Sequence, residues 1–576
     1  MDDSYARLVE NLPPRFPPGR ERRADARGVR AAVEALPLAN PAQAAQGLER
    51  ILDGMLATAW PGAERIVALG LLRTPVAGWC DGIERQIAAE SHPLPPAKLQ
   101  GVMAAQGLHW KLARAHALAL HELCAPDGRI PRFKSRLAAT ATVHALVHLD
   151  HVLLWAYRQY QSPPQGAWRL VHALHAFAVN SGVADTEVDD PLPDGVPLDA
   201  RAAYAHILLL ALSNPYRFSM RELREARQLT RCFGTHCVLV RAGSGGIGVD
   251  TDSDGGPGSL GDDRRDPGAG VLCLDLAPLE RFLDEHAAMR PPGIEHVSFR
   301  RRNAPPVESS AAFVERLRAG WKASSERGHR RLDAGHALDA AIGMHALHYV
   351  LAGNTDFAAF MSAIHGNAIM LSSREHAPSW IAGADAGQAQ TFAAEVLDQS
   401  AGGYRLRLHA ADGPRIRVGE VIGLAPAAEE DEDREWMVGL IRWLRRDGDH
   451  VFAGVELLSR RARAAGLRAV SGEGEPLAPQ RAVELEERRD EAGDRLFSLL
   501  VPHLFDRRTA GIEVALPADP ADWSSRPDVT RCNLLEAAQA SASYFKVILT
   551  TGTVRDGDVV VDGAELLPDT FAGTTE

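Results

Sequence analysis

The stretch that decides the fold is Thr391–Ser459, which contains the segments TFAAEVL, DQSAGG, YRLRLHA, IRVGEVIGLAP, EWMVGLIRWLRR and HVFAGVELLS. These segments are short, and the turn-like sequences AADGP and RRDGD separate two pairs of them. Short strands joined by tight polar turns predict an antiparallel meander or barrel. The acidic insertion EEDEDRE between two of the strands is interpreted as a solvated loop.

Upstream of this stretch, the apolar residues follow a helical pattern instead of a strand pattern. From about Arg23 to Phe233 the apolar residues recur at intervals of three and four, as in GVRAAVEALPLA, LERILDGMLATAW and AAYAHILLLALSN. This spacing is typical of amphipathic helices. Proline-rich breaks at SHPLPP, SPPQG and DDPLPDGVPLD separate the helical segments. We therefore predict a mainly α-helical region over residues 1–232.

The remaining segments complete an α+β multidomain chain. Residues 233–300 contain HCVLVRAG and GVLCLDL, which predict a small strand pair around a Gly/Asp-rich loop. Helical spacing returns over residues 301–370, and the barrel occupies 371–470. SGEGEPLAPQ is interpreted as a linker. It opens a smaller β-rich region, 471–576, which is a candidate second, degenerate barrel.

Composition and charge exclude several classes of protein. The chain has 576 residues, 45% of them hydrophobic, which is typical of a multidomain globular protein. Its net charge of −12 argues against bulk binding to DNA, RNA or an anionic membrane. The first residues contain no apolar signal segment, and no later apolar run is expected to span a membrane. We therefore expect a cytoplasmic protein with no membrane insertion and with its six scattered cysteines reduced.

Three ordered features of the predicted barrel resemble the PilZ domain, the bacterial receptor module for cyclic-di-GMP. In DQSAGG, the residues Asp398, Ser400 and Gly403 fit the family motif of Asp or Asn, x, Ser, x, x, Gly. The strand pair YRLRLHA and IRVGEVIGL follows, and then VGLIRWLRR with FAGVELLS, which contains the Gly-Val-x-Leu ending. The resemblance implies a bis-guanine cyclic dinucleotide as ligand. Asp and Ser side chains suit guanine hydrogen-bonding groups, and glycine allows close backbone approach.

The resemblance also implies a pair of arginines, Arg-x-x-x-Arg, just ahead of the barrel. Arg374 in SSREHAPSW matches the first, but Pro378 occupies the second position. Proline has neither a charge nor a donor, and loss of a charge-assisted hydrogen bond costs about 1.5 to 3 kcal/mol. Arginines at alternating strand positions commonly form an exposed face, but they could also compensate. The candidates are Arg405, Arg407, Arg415, Arg417 and Arg442.

A second candidate site is a histidine stripe in the helical region. His144, His148 and His151 recur at helical spacing in ATVHALVHLDHVLLWAY, so one helix face could present them to a metal. The glutamate of a metalloprotease motif is missing between His144 and His148. Helix packing with hydrogen-bonded imidazoles is the favoured interpretation, and the same holds for His345 and His348.

The sequence thus predicts a non-enzymatic signalling protein without catalytic residues, metal or cofactor. Its barrel binds cyclic-di-GMP through Arg374, Asp398, Ser400 and Gly403, and its helical region contacts a protein partner. The resemblance implies a role in motility, pili or surface attachment. One alternative is a protein-interaction scaffold whose degenerate barrel has lost its ligand, which Pro378 favours. Another is a metal-dependent enzyme that uses the His144 helix.

Overall fold

The chain forms two compact units, Met1–Glu326 and Arg327–Glu576. The computed structural model describes residues 3–13, 25–88, 90–189, 197–241, 247–259, 270–291, 295–301, 304–322, 332–365, 390–409, 415–427, 434–471, 478–489, 495–502, 509–516, 528–541, 543–552 and 560–562. It confirms the predicted α+β class, with a helical first part followed by two β-barrels.

Helices dominate the first unit, as the apolar spacing predicted. They are α1 (Asp3–Glu10), α2 (Ala26–Glu34), α3 (Pro41–Ala57), α4 (Gly62–Gly70), α5 (Arg73–Ile87), α6 (Pro96–Cys124), α7 (Ser135–Arg158), α8 (Ala167–Asn180), α9 (Ala200–Leu212) and α10 (Met220–Phe233). Local sequence sets several of their ends. For example, Ser219 and Glu222 form a reciprocal capping box that fixes the start of α10.

Helices α6 and α7 form the centre of the first unit. They pack side by side, and small residues such as Ala113, Ala117, Ala138 and Ala141 are fully buried in its core. One hydrophobic cluster joins α6 to α2–α5, and a second joins α6 and α7 to α8–α10. Helix α7 is long and apolar enough to cross a membrane, contrary to the expectation that no run reaches that length. However, 78% of its apolar window is buried inside the unit, as in a core helix.

Residues 238–322 add mixed structure to the first unit. The strands β1 (Val238–Arg241), β2 (Ile247–Asp250), β3 (Gly258–Ser259) and β4 (Val271–Asp275) form a sheet in the order β1-β4-β2-β3. The sheet is followed by α11 (Ala277–Met289), the antiparallel pair β5 (His296–Phe299) and β6 (Val307–Ser310), and α12 (Ala311–Lys322). The predicted strand pair is therefore part of a four-stranded sheet, and its range also contains helix α11.

The first barrel of the second unit is closed. Its elements are β7 (Leu332–Asp333), β8 (Ala337–Ile342), β9 (Thr391–Ser400), β10 (Gly403–His409), β11 (Val421–Pro426), β12 (Met437–Asp447) and β13 (His450–Ser459). The pairing order β10-β13-β12-β11-β8-β9 returns to β10, and β7 is attached to β9. Inward residues such as Val396, Leu406, Leu444 and Ala453 are fully buried, as strand alternation requires.

A second closed barrel follows, so the candidate second barrel predicted from sequence is present. Its strands are β14 (Arg463–Ser471), β15 (Gln480–Arg489), β16 (Arg495–Val501), β17 (Thr509–Leu516), β18 (Asp528–Gln539), β19 (Phe545–Thr550) and β20 (Val560–Asp562). The ring runs β17-β14-β15-β16-β19-β18 and closes on β17, while β20 pairs with β18 in parallel.

Two predicted boundaries differ from the structure. Strand β8 lies in the predicted helical range 301–370, yet it completes the first barrel by pairing with β9 and β11. Strand β14 begins inside the predicted first barrel, 371–470, but pairs with β15 and β17 of the second. The expected linker SGEGEPLAPQ therefore connects two strands of one barrel. Strand partners far apart in sequence decide both assignments, and a local pattern does not reveal them.

Helices α13 (Met344–Leu351) and α14 (Phe357–His365) complete the second unit. Helix α13 packs on strands of both barrels, and a hydrophobic cluster that includes Leu347, Leu440 and Leu500 joins the barrels around it. His348 of α13 is buried, with Nε2 3.2 Å from the Ala465 carbonyl oxygen. The two barrels are therefore joined by a shared apolar core.

Candidate ligand-binding site

The DQSAGG motif forms the β9–β10 hairpin of the first barrel. Ser400 pairs with Gly403, which leaves Ala401 and Gly402 as a two-residue turn. The Ser400 hydroxyl lies 3.4 Å from the Gly403 carbonyl oxygen, to which it donates. Three of the four predicted site residues, Asp398, Ser400 and Gly403, are therefore brought together within one hairpin.

Gly403 occupies a position where a side chain would collide with the neighbouring strand. A Cβ atom at this residue would lie 2.0 Å from the carbonyl oxygen of Val455 on β13. Strand β10 therefore approaches β13 closely at the point where the two begin to pair, Gly403 opposite Glu456. This close approach is the physical reason for glycine at the last position of the motif.

Asp398 lies beside an arginine at the outer surface of the barrel. It pairs with Arg405 across the hairpin, next to a β-bulge, and the Arg405 guanidinium Nη1 lies 3.7 Å from the Asp398 carboxylate Oδ2. The Arg405 side chain is 44% exposed, and the Asp398 side chain is 14% exposed. On the other side of β9, Asp333 of β7 is the register partner of Asp398. A carboxylate and a guanidinium thus lie side by side at the motif.

The row of residues through Asp398 and Arg405 continues across two more strands. Arg405 pairs with Gly454 of β13, and Gly454 pairs with Trp443 of β12. A Cβ atom on Gly454 would lie 1.8 Å from the Trp443 indole Nε1, so the indole occupies the space above this glycine. The Arg405 guanidinium lies 5.9 Å from the ring centre of Phe452, within cation–π range.

The other candidate arginines of the barrel have different surroundings. Arg407 forms an ion pair with Glu395, and Arg415 is exposed. Arg417 donates to Glu420 at 2.7 Å. Arg442 pairs with Glu456 and also donates at 2.8 Å to the Ala540 carbonyl oxygen of the second barrel. Among the five candidates, Arg405 is the one that lies against Asp398. Arg374 and Pro378 lie outside the described residues.

The predicted histidine stripe lies against His109 and His116 of α6, with His148 buried and His144 and His151 half-buried. His148 Nδ1 is 3.1 Å from His109 Nδ1, and His144 Nε2 is 2.9 Å from the Asp189 carbonyl oxygen. Arg227 donates to His151 at 2.8 Å. Within the described parts of the chain, no group of three or more His, Cys, Asp or Glu side chains is arranged to hold a metal ion. These partners are those of imidazoles that pack a helix interface.

Burial lowers the pKa of the imidazoles between α6 and α7 and so favours their neutral form. It lowers the pKa of His109 to about 3, and the nearby Arg227 contributes to this lowering. The pKa values of His116 and His148 lie well below the ordinary range for the same first cause, with further lowering by neighbouring imidazoles. His109, His116 and His148 are therefore neutral near pH 7.

The sequence analysis identified Gly454 only as part of the Gly-Val-x-Leu ending, and it assigned neither Gly454 nor Trp443 of the outer row to the site. The alternation in LIRWLRR places Trp443 and Leu444 on opposite faces of β12, and Leu444 is buried whereas Trp443 is partly exposed. The outward direction of Trp443 could therefore be predicted from the sequence. Its pairing with Gly454 could not be predicted, because it depends on a register shift in β12 between Ile441 and Trp443.

Comparison with known proteins finds that the helical region and the first barrel match two domains of one kind of receptor. Residues 27–242 match the family described as "Cyclic-di-GMP receptor FimW, N-terminal domain". Residues 249–391 and 372–464 match the family described as "Cyclic-di-GMP receptor FimW, middle PilZ domain". The chain is also 25% identical over 480 residues to the cyclic-di-GMP receptor FimW of Pseudomonas aeruginosa, across 75% of this chain and 77% of that protein. The helical region and the first barrel are thus similar to consecutive domains of such receptors.

Proposed function

Because this chain belongs to the PilZ-domain family of cyclic-di-GMP receptors, as its sequence predicted, we propose that it binds cyclic-di-GMP at the first barrel and acts as a cytoplasmic signalling protein. The observation that carries the proposal is the β9–β10 hairpin. It holds Asp398, Ser400 and Gly403 in one turn, with Asp398 beside the Arg405 guanidinium.

These groups have the chemistry that a cyclic dinucleotide of guanine requires. A carboxylate and a hydroxyl accept hydrogen bonds from guanine N–H groups, and a guanidinium pairs with a phosphate or with guanine O6 and N7. Arg374 is proposed to supply a second guanidinium from the segment ahead of the barrel, on the strength of its motif position. In this function the protein binds and releases its ligand without catalysis, and it needs no metal or cofactor.

The helical unit is proposed to relay ligand binding to a protein partner, in pilus function, motility or surface attachment. Two facts support this role. The helical region matches its own domain of the same receptor family, and the relative from Pseudomonas aeruginosa is a receptor whose sequence aligns with three quarters of this chain. The net charge of −12 favours a protein partner over DNA or RNA.

An alternative function is a scaffold whose barrel no longer binds the ligand. The observation that favours it is Pro378, which stands where the family motif has its second arginine. In that case the two barrels and the helical unit serve protein interactions alone. Binding measurements on the purified full chain separate the two functions.

Isothermal titration calorimetry with cyclic-di-GMP tests the receptor function. We expect the full chain to bind, and we expect Asp398→Ala to weaken binding about tenfold to a hundredfold, the usual effect of losing a hydrogen bond to a charged group. Arg374→Ala should weaken binding to a similar extent. Arg407→Gln is the matched control: it changes the next outward arginine of β10, which pairs with Glu395, and it should leave the affinity within about twofold.

Two results would contradict the proposal in different ways. No heat of binding and no thermal shift of the full chain at high ligand concentration would favour the scaffold. Binding that survives both Asp398→Ala and Arg374→Ala unchanged would mean that the ligand occupies another part of the protein.

A further inference from the structure

We propose that the connection between α6 and α7 is a contact site for a membrane surface rich in anionic phospholipid. The residues concerned are 125–136, which we call the basic segment; they comprise this connection and the first two residues of α7. The inference goes beyond the proposed function, because it concerns another part of the chain and another kind of ligand. Its basis is an exposed aromatic side chain, a group of exposed cations and the start of a helix.

The aromatic side chain is that of Phe133, which at 90% is the most exposed large hydrophobic side chain among the described residues. Its backbone is left-handed, with φ 67°, a conformation that is strained for a bulky residue. The guanidinium of Arg132 lies 5.2 Å from the ring centre, within cation–π range. An exposed ring on a strained backbone adds no apolar burial to the folded chain, which favours a contact outside the chain.

Four cations lie close to Phe133 in the sequence and give the basic segment a charge opposite to that of the whole chain. The exposed cations are Arg129, Arg132, Lys134 and Arg136. Asp127 is the one acidic residue of the segment, so its net charge is 4 − 1 = +3, in a chain of net charge −12. Among the described residues, none of the four cations forms an ion pair. Their charge is therefore available to an external anion.

The start of α7 adds to this positive charge. The N-terminus of a helix carries a partial positive charge, which acidic or short polar residues usually offset. Here Lys134 stands at the N-cap and makes no side-chain cap hydrogen bond, and the first turn contains no acidic residue. Arg136 lies in the same turn. Cations at these positions oppose the helix dipole, so they weaken the helix start while they strengthen the local attraction for anions.

A phospholipid surface has the chemistry that this segment fits. Its phosphates attract the charged ends of arginine and lysine, whose apolar stems extend along the surface, and an aromatic ring enters the layer beneath the phosphates. Phe133 is the one exposed large hydrophobic side chain of residues 125–136, all of which the structure describes. A stable protein interface buries about 800 Å² on each partner around an apolar core. A single ring among cations lacks such a core, which favours a lipid surface over a protein pocket.

The contact is confined to the membrane surface. Helix α7 follows directly, and 78% of its apolar window is buried inside the first unit, so this helix is not free to enter the bilayer. One ring and a net charge of +3 give a weak and reversible attachment, because stable anchoring takes a stronger signal. The attachment weakens as salt is added, since ions screen exposed charges.

Co-sedimentation of the full chain with vesicles tests the contact. With vesicles of phosphatidylglycerol and phosphatidylethanolamine, we expect binding at low salt that falls as salt is added, and little binding to vesicles of phosphatidylcholine alone. Phe133→Gly should lower the partition coefficient about fivefold or more, because the ring is lost. The same variant should unfold at an equal or higher temperature, since glycine adopts positive φ without strain. Val67→Ser, at an exposed residue of α4, is the apolar control and should bind within about twofold of the unchanged protein.

A double variant tests the cations. Arg132→Gln combined with Lys134→Gln should lower the partition coefficient about tenfold or more, because each basic residue near an anionic surface contributes to the attraction. Arg27→Gln combined with Arg30→Gln is the matched control, since both arginines are exposed on α2 and the net charge changes by the same amount. This control should bind within about twofold of the unchanged protein.

Two results would overturn the inference. Absence of binding to the anionic vesicles at low salt would exclude the lipid contact and leave an acidic protein surface as the kind of partner that fits the segment. Equal binding by Phe133→Gly and the unchanged protein, or by the two double variants, would mean that overall charge and not this segment holds the protein to the vesicles. Calorimetry with cyclic-di-GMP is a separate measurement, so failure of the lipid contact and failure of the receptor function are distinguishable.

Discussion

Glycines at two positions of the first barrel allow close contacts of different kinds. At Gly403 the backbone itself is close, because a Cβ atom would lie 2.0 Å from the Val455 carbonyl oxygen. At Gly454 a flexible side chain is close, because the Trp443 indole fills the space. An indole can move aside at modest cost, whereas a paired strand cannot. A methyl group should therefore cost more stability at Gly403 than at Gly454.

Gly403→Ala tests the close backbone contact at Gly403. The methyl group must push β10 away from β13, and we expect a loss of about 1 to 3 kcal/mol in the free energy of unfolding, as for overpacked sites. Urea denaturation of the full chain measures it. Gly335→Ala is the control, because Gly335 is exposed in the same unit and a Cβ atom there would have no described neighbour within 4 Å. Equal stability of the two variants would contradict the close contact at Gly403.

At the scale of elements, Ser541 and Tyr544, which lie between β18 and β19 of the second barrel, make polar contacts with the first barrel. Tyr544 donates its hydroxyl to the Glu420 carboxylate, and Ser541 donates at 2.7 Å to the Gly419 carbonyl oxygen. Arg417 donates to the other oxygen of Glu420 at 2.7 Å. Burial raises the pKa of Tyr544 well above its ordinary value, and the Glu420 carboxylate raises it further, so the hydroxyl remains a donor.

Tyr544→Phe should therefore destabilise the second unit. The change removes one donor from the buried Glu420 carboxylate while keeping the aromatic ring, and we expect a loss of about 1 to 3 kcal/mol. Thermal and urea unfolding of the full chain provide the measurement. Tyr404→Phe is the matched control, because its hydroxyl donates to the Met437 sulfur at 3.4 Å, a weak acceptor. If both variants lose the same small amount, the contact with Glu420 does not stabilise the barrels.

The elements also show how far the sequence predicts this fold. Strand alternation and turn chemistry predicted β9 to β13. The motif match selected Asp398, Ser400 and Gly403, and the structure adds that these three residues share one hairpin. The same patterns did not assign β8 and β14 to their barrels, because ring closure depends on partners distant in sequence. Trp443 was missed for a related reason: its contact with Gly454 depends on cross-strand register, which a single strand does not encode.

At the scale of the whole molecule, the first unit has an interior that is unusually rich in histidine. His109, His116 and His148 are buried between α6 and α7, and the His148 ring contacts both of the other rings. Burial would raise the pKa of the adjacent Asp150, but Arg227 and His206 hold it below its ordinary value. Buried neutral imidazoles make the stability of this unit depend on pH, because the unfolded chain exposes the same groups to protonation.

We expect the helical unit to lose stability as the pH falls below about 6.5, the ordinary pKa of an exposed histidine. In the folded chain burial lowers the pKa of His109 to about 3 and lowers those of His116 and His148 as well. Below about pH 6.5 the unfolded state therefore binds more protons than the folded state, and each such histidine removes about 2 kcal/mol of stability by about pH 5. Urea unfolding followed by far-ultraviolet circular dichroism, at a series of pH values, measures this loss.

A histidine-to-leucine change identifies the source of that pH dependence. His116→Leu removes one buried imidazole and keeps an apolar side chain, so the loss of stability between about pH 7.5 and about pH 5 should shrink by about 2 kcal/mol. The exposed His296 offers a matched control, and His296→Gln should leave the pH profile unchanged. A His116→Leu profile that parallels the unchanged protein would mean that groups other than this imidazole cause the acid sensitivity. If His116→Leu loses less stability than the unchanged protein over this pH range, the packed imidazoles between α6 and α7 are a source of the acid sensitivity.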